Sequence, residues 1–152
     1  MKEEQKVKIK IFAIVIRGEE GDEKPEKDNI RITSEGIMTF DGKRVEICYD
    51  EIMDEEGHEQ NILSFDVNEP NMVTLERNGS VSCIMTFSEN GRYGGLYHMG
   101  FASFDFTVVT KRISNKVGFE KGGVLLLDYG TEIQNVPVQT SRFRFDISVI
   151  RE

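Results

Sequence analysis

Along most of the chain apolar and polar residues alternate, the pattern of a strand with one buried face. Val7, Ile9, Ile11, Ala13 and Val15 share one face of a first run; the other face changes from Lys8 and Lys10 to Phe12, Ile14 and Ile16. A strand apolar on both faces near its end expects a helix, another strand or a subunit outside the sheet. A second run, Asn29 to Phe40, places Ile30, Ile32, Ser34, Gly36, Met38 and Phe40 together. A glycine within a strand marks a bulge, a sharp bend or a close backbone approach. Asp41-Gly42 predicts a tight hairpin into Lys43 to Tyr49, where Val45, Ile47 and Tyr49 alternate with Arg44, Glu46 and Cys48. Asp50 to Glu59 reads as an acidic loop, Gln60 to Val67 as a fourth strand, and Glu69-Pro70-Asn71 as a turn.

The stretch Val73 to Phe87, VTLERNGSVSCIMTF, predicts a hairpin about Asn78-Gly79, a pair that accepts the positive φ of a type I′ turn. Val73, Leu75 and Arg77 share its one face, so a charge stands in an apolar row; Cys83 shares a face with Val81, Met85 and Phe87. Further strands follow. A short one at Arg92 to Tyr97 is weakened by Gly94-Gly95. Phe101 to Ile113 carries Phe104, Phe106, Val108 and Thr110 on one face, Gly123 to Ile133 carries Leu125, Leu127 and Tyr129, and the last carries Phe143, Phe145, Ile147 and Val149. Turns are expected at Glu89-Asn90-Gly91, His98-Met99-Gly100 and Asn135 to Thr140, and a loop over Ser114 to Gly123. No segment holds the helical period of about 3.6 residues. The expectation is an all-β chain of about eight to ten strands joined by short loops, a meander closed into an antiparallel barrel that leaves no vulnerable edge. A two-sheet sandwich is the alternative; long strands favour the barrel. Residues 1–6 read as a polar tail and 7–152 as one domain.

Composition narrows the function more than the fold. At 152 residues the chain is long enough for one sizeable core, with ten Phe and no Trp supplying aromatic bulk. A net charge of −8 opposes general affinity for nucleic acid and for anionic membrane surfaces. The acidic stretch Gly18 to Asp28 reads as a solvated connection. Two cysteines make no disulfide framework. The polar start MKEEQKVKIK is no signal segment, and no run approaches the roughly 18 apolar residues of a membrane span. The expected setting is the cytoplasm, with reduced thiols.

Arg77 is the first candidate for chemistry. Strand parity places it with Tyr49 and Glu51 of the third strand and Tyr129 of the penultimate one, lining one end of a barrel interior. A guanidinium there needs a partner, and Glu51 is the expected one. Such a cluster suits an anionic or hydrogen-bonding small ligand; Arg77 at the rim or in a structural ion pair is the competing reading. The acidic run Asp50, Glu51, Asp54, Glu55, Glu56, His58 and Glu59 has neither the ligand spacing nor the glycine position of a calcium loop. The two His and two Cys form no zinc pattern, and Cys83 reads as a buried thiol rather than the partner of His98. Gly91, Gly94, Gly95 and Gly100 lack the context of a phosphate loop, and no GxSxG is present. No metal, cofactor or catalytic constellation is expected. Two functions remain: a module binding a small molecule, or an interaction module with a filled interior, pairing through the outer face of the first strand as a homodimer.

The segments VTLERNGSVSCIMTF, GRYGGLYHMGFASFDFTVVTKRI, GGVLLLDYGTEIQNVPVQTSRFRFDISV and SEGIMTFDGKRVEICYDE resemble the uncharacterised bacterial YwiB-like family, over about Val7 to Val149. The order of short pieces carries the likeness, and the fourth strand departs from it at Gln60-Asn61-Ile62, where the family tends to carry Thr. The resemblance implies a calycin-like barrel, of the lipocalin shape, and no assigned activity. Its typical positions match here at Glu35-Gly36, Tyr49, Glu51, Arg77, Gly79, Tyr97 and Tyr129, which adds Tyr97 to the candidate cluster.

Overall fold

The period-two runs all become strands. The structure, a computed structural model, describes residues 2–18, 26–52, 58–79 and 81–151, with the backbone alone at 51, 52 and 58. Its strands are β1 (Glu3–Arg17), β2 (Glu26–Phe40), β3 (Arg44–Ile52), β4 (His58–Asp66), β5 (Glu69–Asn78), β6 (Val81–Ser88), β7 (Arg92–Met99), β8 (Ala102–Asn115), β9 (Gly123–Ile133) and β10 (Val136–Val149). Each pairs antiparallel with its chain neighbour, and β1 pairs with β10, so the ten strands form one closed barrel. The closed meander is thus the observed architecture, not the sandwich. No helix among the described residues is long and apolar enough to cross a membrane.

β1 is the longest seam. It pairs with β2 from Glu3 to Arg17 and with β10 from Val7 to Arg17. The stretch read as a polar tail therefore joins the sheet from Glu3 onward. Inward residues of neighbouring strands align: Ile9 opposes Ile147, Phe145 opposes Leu125, and Ile47 opposes Leu63. Phe65, Phe87, Phe145, Met38, Ile47 and Leu63 are among the largest fully buried side chains. Each such side chain contributes about 1.5–3 kcal/mol by leaving water.

Register corrects several expected turns. The β5–β6 ladder runs from Met72–Ser88 to Arg77–Cys83. A two-residue Asn78-Gly79 turn would instead set Val73 opposite Ile84 and Leu75 opposite Ser82, turning Cys83 and Phe87 outward. The observed register sets Val73 against Phe87 and Leu75 against Met85. Burial of one face outweighs turn chemistry, because a one-residue slip moves every side chain through the wall. Between β4 and β5 the chain reverses at Val67-Asn68, where Asp66 Oδ1 accepts a hydrogen bond from the Asn68 amide at 2.8 Å, and Glu69-Pro70-Asn71 belongs to β5. Gln134 and Asn135, at φ 52° and 66°, make the last turn, so Val136 to Thr140 is strand.

In β8 the pairing with β9 shifts between Thr110 and Arg112, with Lys111 as the extra residue of a bulge. Phe106, Val108 and Thr110 face inward before it, and Ile113 and Asn115 after it.

Gly36 begins the stretch in which β2 pairs with β3 as well as with β1. It opposes Val7 and Tyr49, and β2 pairs with β3 from Gly36 to Phe40. A Cβ at this position would lie 2.3 Å from the Cys48 carbonyl oxygen and 3.1 Å from Ile9 Cδ1. The expected close approach is real, and its obstacle is backbone. Gly36→Ala is expected to lower stability by about 1–3 kcal/mol in urea melts, the usual cost of overpacking. Gly94→Ala, where the nearest atom to a new Cβ is 3.8 Å away, serves as control and is expected to change the midpoint little.

Candidate functional site

Most of the barrel lining is apolar; Glu59, Asn61, Thr110 and Ser141 are buried polar exceptions near Arg77 and Tyr129, while Asn115, also inward, bonds the Pro70 carbonyl at the far end of β5. Arg77 of β5 lies opposite Asn61 of β4 and Cys83 of β6, and Asn61 lies opposite Tyr49 of β3. These four residues make one continuous tier of the inner wall. Glu59 stands one inward position along β4 from Asn61, opposite Glu51. Its Oε2 is 3.9 Å from Arg77 Nη1. Glu59 and Asn61 are 3% and 0% exposed, while the Arg77 side chain keeps 24% of its surface in water. Arg77 is thus both interior and near the rim.

The facing wall supplies hydroxyls. Tyr129 of β9 lies between Thr110 of β8 and Ser141 of β10. Its hydroxyl is hydrogen-bonded to Ser141, and Ser141 Oγ accepts a bond from Gln139 Nε2 at 3.0 Å. Thr110 Oγ1 is buried with no hydrogen-bond partner among the described residues. The Tyr129 ring meets Phe87 edge-on at 4.8 Å. Tyr97 of β7 stacks on Phe104 at 4.9 Å and meets Phe106 edge-on at 6.1 Å, closing the wall beneath β7.

The electrostatics follow from burial. Desolvation pushes the Tyr129, Tyr97 and Cys83 hydroxyls and thiol above their usual titration ranges, and the Arg77 charge opposes this at all three. Glu59 adds to the upward push on Tyr97 and Cys83. Each group stays protonated at neutral pH and offers a hydrogen-bond donor, not a nucleophile.

Tyr49, Arg77, Tyr97 and Tyr129 all line the interior. The carboxylate beside Arg77 is Glu59; Glu51 is its cross-strand neighbour, and the Glu51 side chain lies outside the described residues. Of the acidic run, residues 53–57 lie outside them as well, and Glu59 leaves the expected loop for strand β4. Glu59 and Ser141 are the members that the strand boundaries concealed; Asn61 stood within the expected fourth strand, in phase with Leu63 and Phe65, but was not singled out. Extending the fourth strand back by one residue would have put Glu59 in phase with Asn61, Leu63 and Phe65. Cys83 and His98 point to opposite faces: Cys83 is buried, and His98 Nδ1 is exposed and 2.6 Å from Ser103 Oγ. No group of three or more potential metal ligands occurs among the described residues.

A cleft of about 390 Å³ opens beside this tier, lined by Arg77 and Cys83 from within and by Ser82, Ile84, Leu96 and His98 from the outer wall. It coincides with a thin seam: the β6–β7 ladder has the pairs Val81–Met99 and Ser82–His98 among the described residues. Gly95 stands there over Phe106, whose ring would lie 3.2 Å from a Cβ.

Arg77→Met is expected to destabilise the fold by about 1–3 kcal/mol in urea melts by stranding the Glu59 carboxylate, and Arg77→Met with Glu59→Leu to recover most of the loss. An unchanged midpoint in the single variant would mean that the pair carries no stability. Tyr129 gives an alkaline signature. Its pKa is raised on folding, so its contribution is complete below the unfolded value near 10 and is lost as pH rises towards the folded value. Tyr129→Phe is expected to cost about 0.5–1.5 kcal/mol at pH 8 and to flatten the fall in stability above pH ~10.

The sequence profile of the domain of unknown function DUF1934 matches residues 14–145. The crystal structure of the YwiB protein from Bacillus subtilis is similar over 94% of this chain and 92% of that one, at 19% identity and a TM-score of 0.70, which establishes the shared fold. Ail, the attachment invasion locus protein of Yersinia pestis, aligns over 97% of this chain and 99% of that one at 12% identity, with a TM-score of 0.32, too low for a shared architecture. No functionally curated protein matches significantly. With the profile spanning most of its length, the chain belongs to the DUF1934 family, a domain of unknown function in which YwiB is a structural relative.

Proposed function

We propose that this barrel is a cytoplasmic small-molecule binding module whose polar anchor is Arg77 with Glu59, Asn61, Tyr49, Tyr97 and Tyr129. The observation that carries the reading is the buried Glu59 and Asn61, set at successive inward positions beside Arg77, next to a cleft that reaches Arg77 and Cys83. Binding sites are typically concave and mostly apolar, with a few placed polar groups, and span about 300–1,000 Å³. The expected lipocalin-like use of a barrel agrees with this, although a fold alone does not assign a function. Two free cysteines, one half-buried and one buried, suit a reducing compartment.

The pairing of Arg77 with Glu59 narrows the ligand class. A lone guanidinium would select an anion. A guanidinium already balanced by a carboxylate favours a neutral or zwitterionic molecule that offers an acceptor to Arg77 and a donor to Glu59. The neutral phenols and the Cys83 thiol add donors without adding charge. Ligand chemistry here is recognition, not turnover: no nucleophile–base pair stands in the interior tier among the described residues, and the Ser103–His98 contact lies on the exposed outer face.

A second reading, a filled barrel serving as an interaction module, draws support from Phe65, Phe87 and Phe145, all within 2% of full burial. The two separate by experiment. Thermal melts of the full chain against a panel of amino acids, sugars and nucleosides are expected to give a rise of several degrees for one class, since a ligand at 100 times its Kd adds about 2.7 kcal/mol. Arg77→Met is expected to abolish that rise. A native mass spectrum of protein taken directly from cells with no bound mass, and no melting shift across the panel, would establish the filled barrel instead.

A further inference from the structure

On the outside of the barrel a second concavity lies opposite the thin β6–β7 seam. Its floor is apolar: Phe12 and Ile14 of β1 are half-buried, and Leu126 of β9 is 43% exposed. These are the outward residues that made the first strand apolar on both faces. Four arginines stand around them. Arg31 of β2 opposes Phe12, Arg144 of β10 lies between Phe12 and Leu126, Arg142 opposes Ile14, and Arg112 completes the edge on β8. Together they enclose a groove of about 700 Å³.

Four guanidiniums on one wall are unexpected in a chain of net charge −8. Their engagement is unequal. Arg142 lies 3.7 Å from Asp128 Oδ2, and Arg144 Nε donates to Asp146 Oδ1 at 3.0 Å. Arg31 lies over the Phe12 ring at 5.6 Å, and Arg112 faces Asp128 across the ladder. Neither Arg31 nor Arg112 has an ion pair within 4 Å among the described residues.

We propose that this groove is a second site, separate from the interior one, for a small organic anion: a carboxylate, sulfonate or phosphate head on a flat or chain-like apolar body. The body covers Phe12, Ile14 and Leu126, and the head reaches the guanidiniums at the edge. The volume is that of a small-molecule site. Asp128 and Asp146 stand among the arginines and would repel successive phosphates, which disfavours a nucleic acid strand. A second copy of the chain would set one basic face against another across a two-fold contact.

The test uses the full chain and the fluorescent anion 1-anilinonaphthalene-8-sulfonate, with neutral N-phenyl-1-naphthylamine and a 15-nucleotide oligothymidine as comparisons. The sulfonate is expected to bind at least tenfold tighter than the neutral amine and more weakly at high salt. Leu126→Asp and Arg31→Glu are each expected to weaken it tenfold or more, while Arg77→Met leaves it unchanged. Arg112→Gln, at an exposed position, supplies an independent variant should either of the others perturb the melting temperature. Equal affinity for the neutral amine would overturn the role of the arginines. Loss of binding in Arg77→Met, with Leu126→Asp unaffected, would place the probe inside the barrel and overturn the outer site. Tighter binding of the oligothymidine would make the face a polyanion surface and overturn the small-molecule reading.

Discussion

The pairing of β1 with β10, from Val7–Val149 to Arg17–Gln139, is the constraint on which the other features depend. An open meander would leave two edges with free amide and carbonyl groups, each a template for aggregation. Closure satisfies both, but it also fixes which side of every strand is inside. Once β1 commits Ile9 and Ile11 inward, the parity of each later strand follows through nine further ladders. That is why the Asn78-Gly79 turn yields to the register: the local preference of a turn is small beside the burial of Val73, Leu75, Met85 and Phe87 on one face.

The polar tier is the exception within this apolar lining. A buried ion pair is weak evidence for stability, since well-packed apolar residues of similar volume often stabilise a core as well or better. Glu59 and Arg77 are therefore poorly explained as structural reinforcement. The same reasoning covers the Thr110 hydroxyl, which is desolvated where a valine would cost nothing. Features that a core does not need, set beside a cleft in the wall, are what the proposed binding role rests on.

Much of the architecture was legible in the sequence because alternation reports directly on a one-sided sheet. Strand parity alone put Tyr49, Arg77 and Tyr129 on the inner wall, and the resemblance added Tyr97. Glu59 was less legible: it ends an acidic run whose composition suggests a loop, and nothing local marks where pairing with β3 resumes. Ser141 was hidden by Pro137, a residue more often seen in a turn than in a strand. The arginine-rich outer groove was legible only in part. The apolar outer face of the first strand announced that something lies against it, but the arginines come from three other strands and converge only when the barrel closes.

The bulge at Lys111 has a consequence for how this domain can vary. On either side of it, Thr110 and Ile113 face inward and Arg112 faces out. Removing Lys111 would restore regular alternation without sending any of its neighbours through the wall. A relative shorter by one residue in this strand would keep the same lining and the same outer arginine, and differ in the local coiling of the sheet. Length variation within the domain can therefore fall inside β8 as well as in its loops.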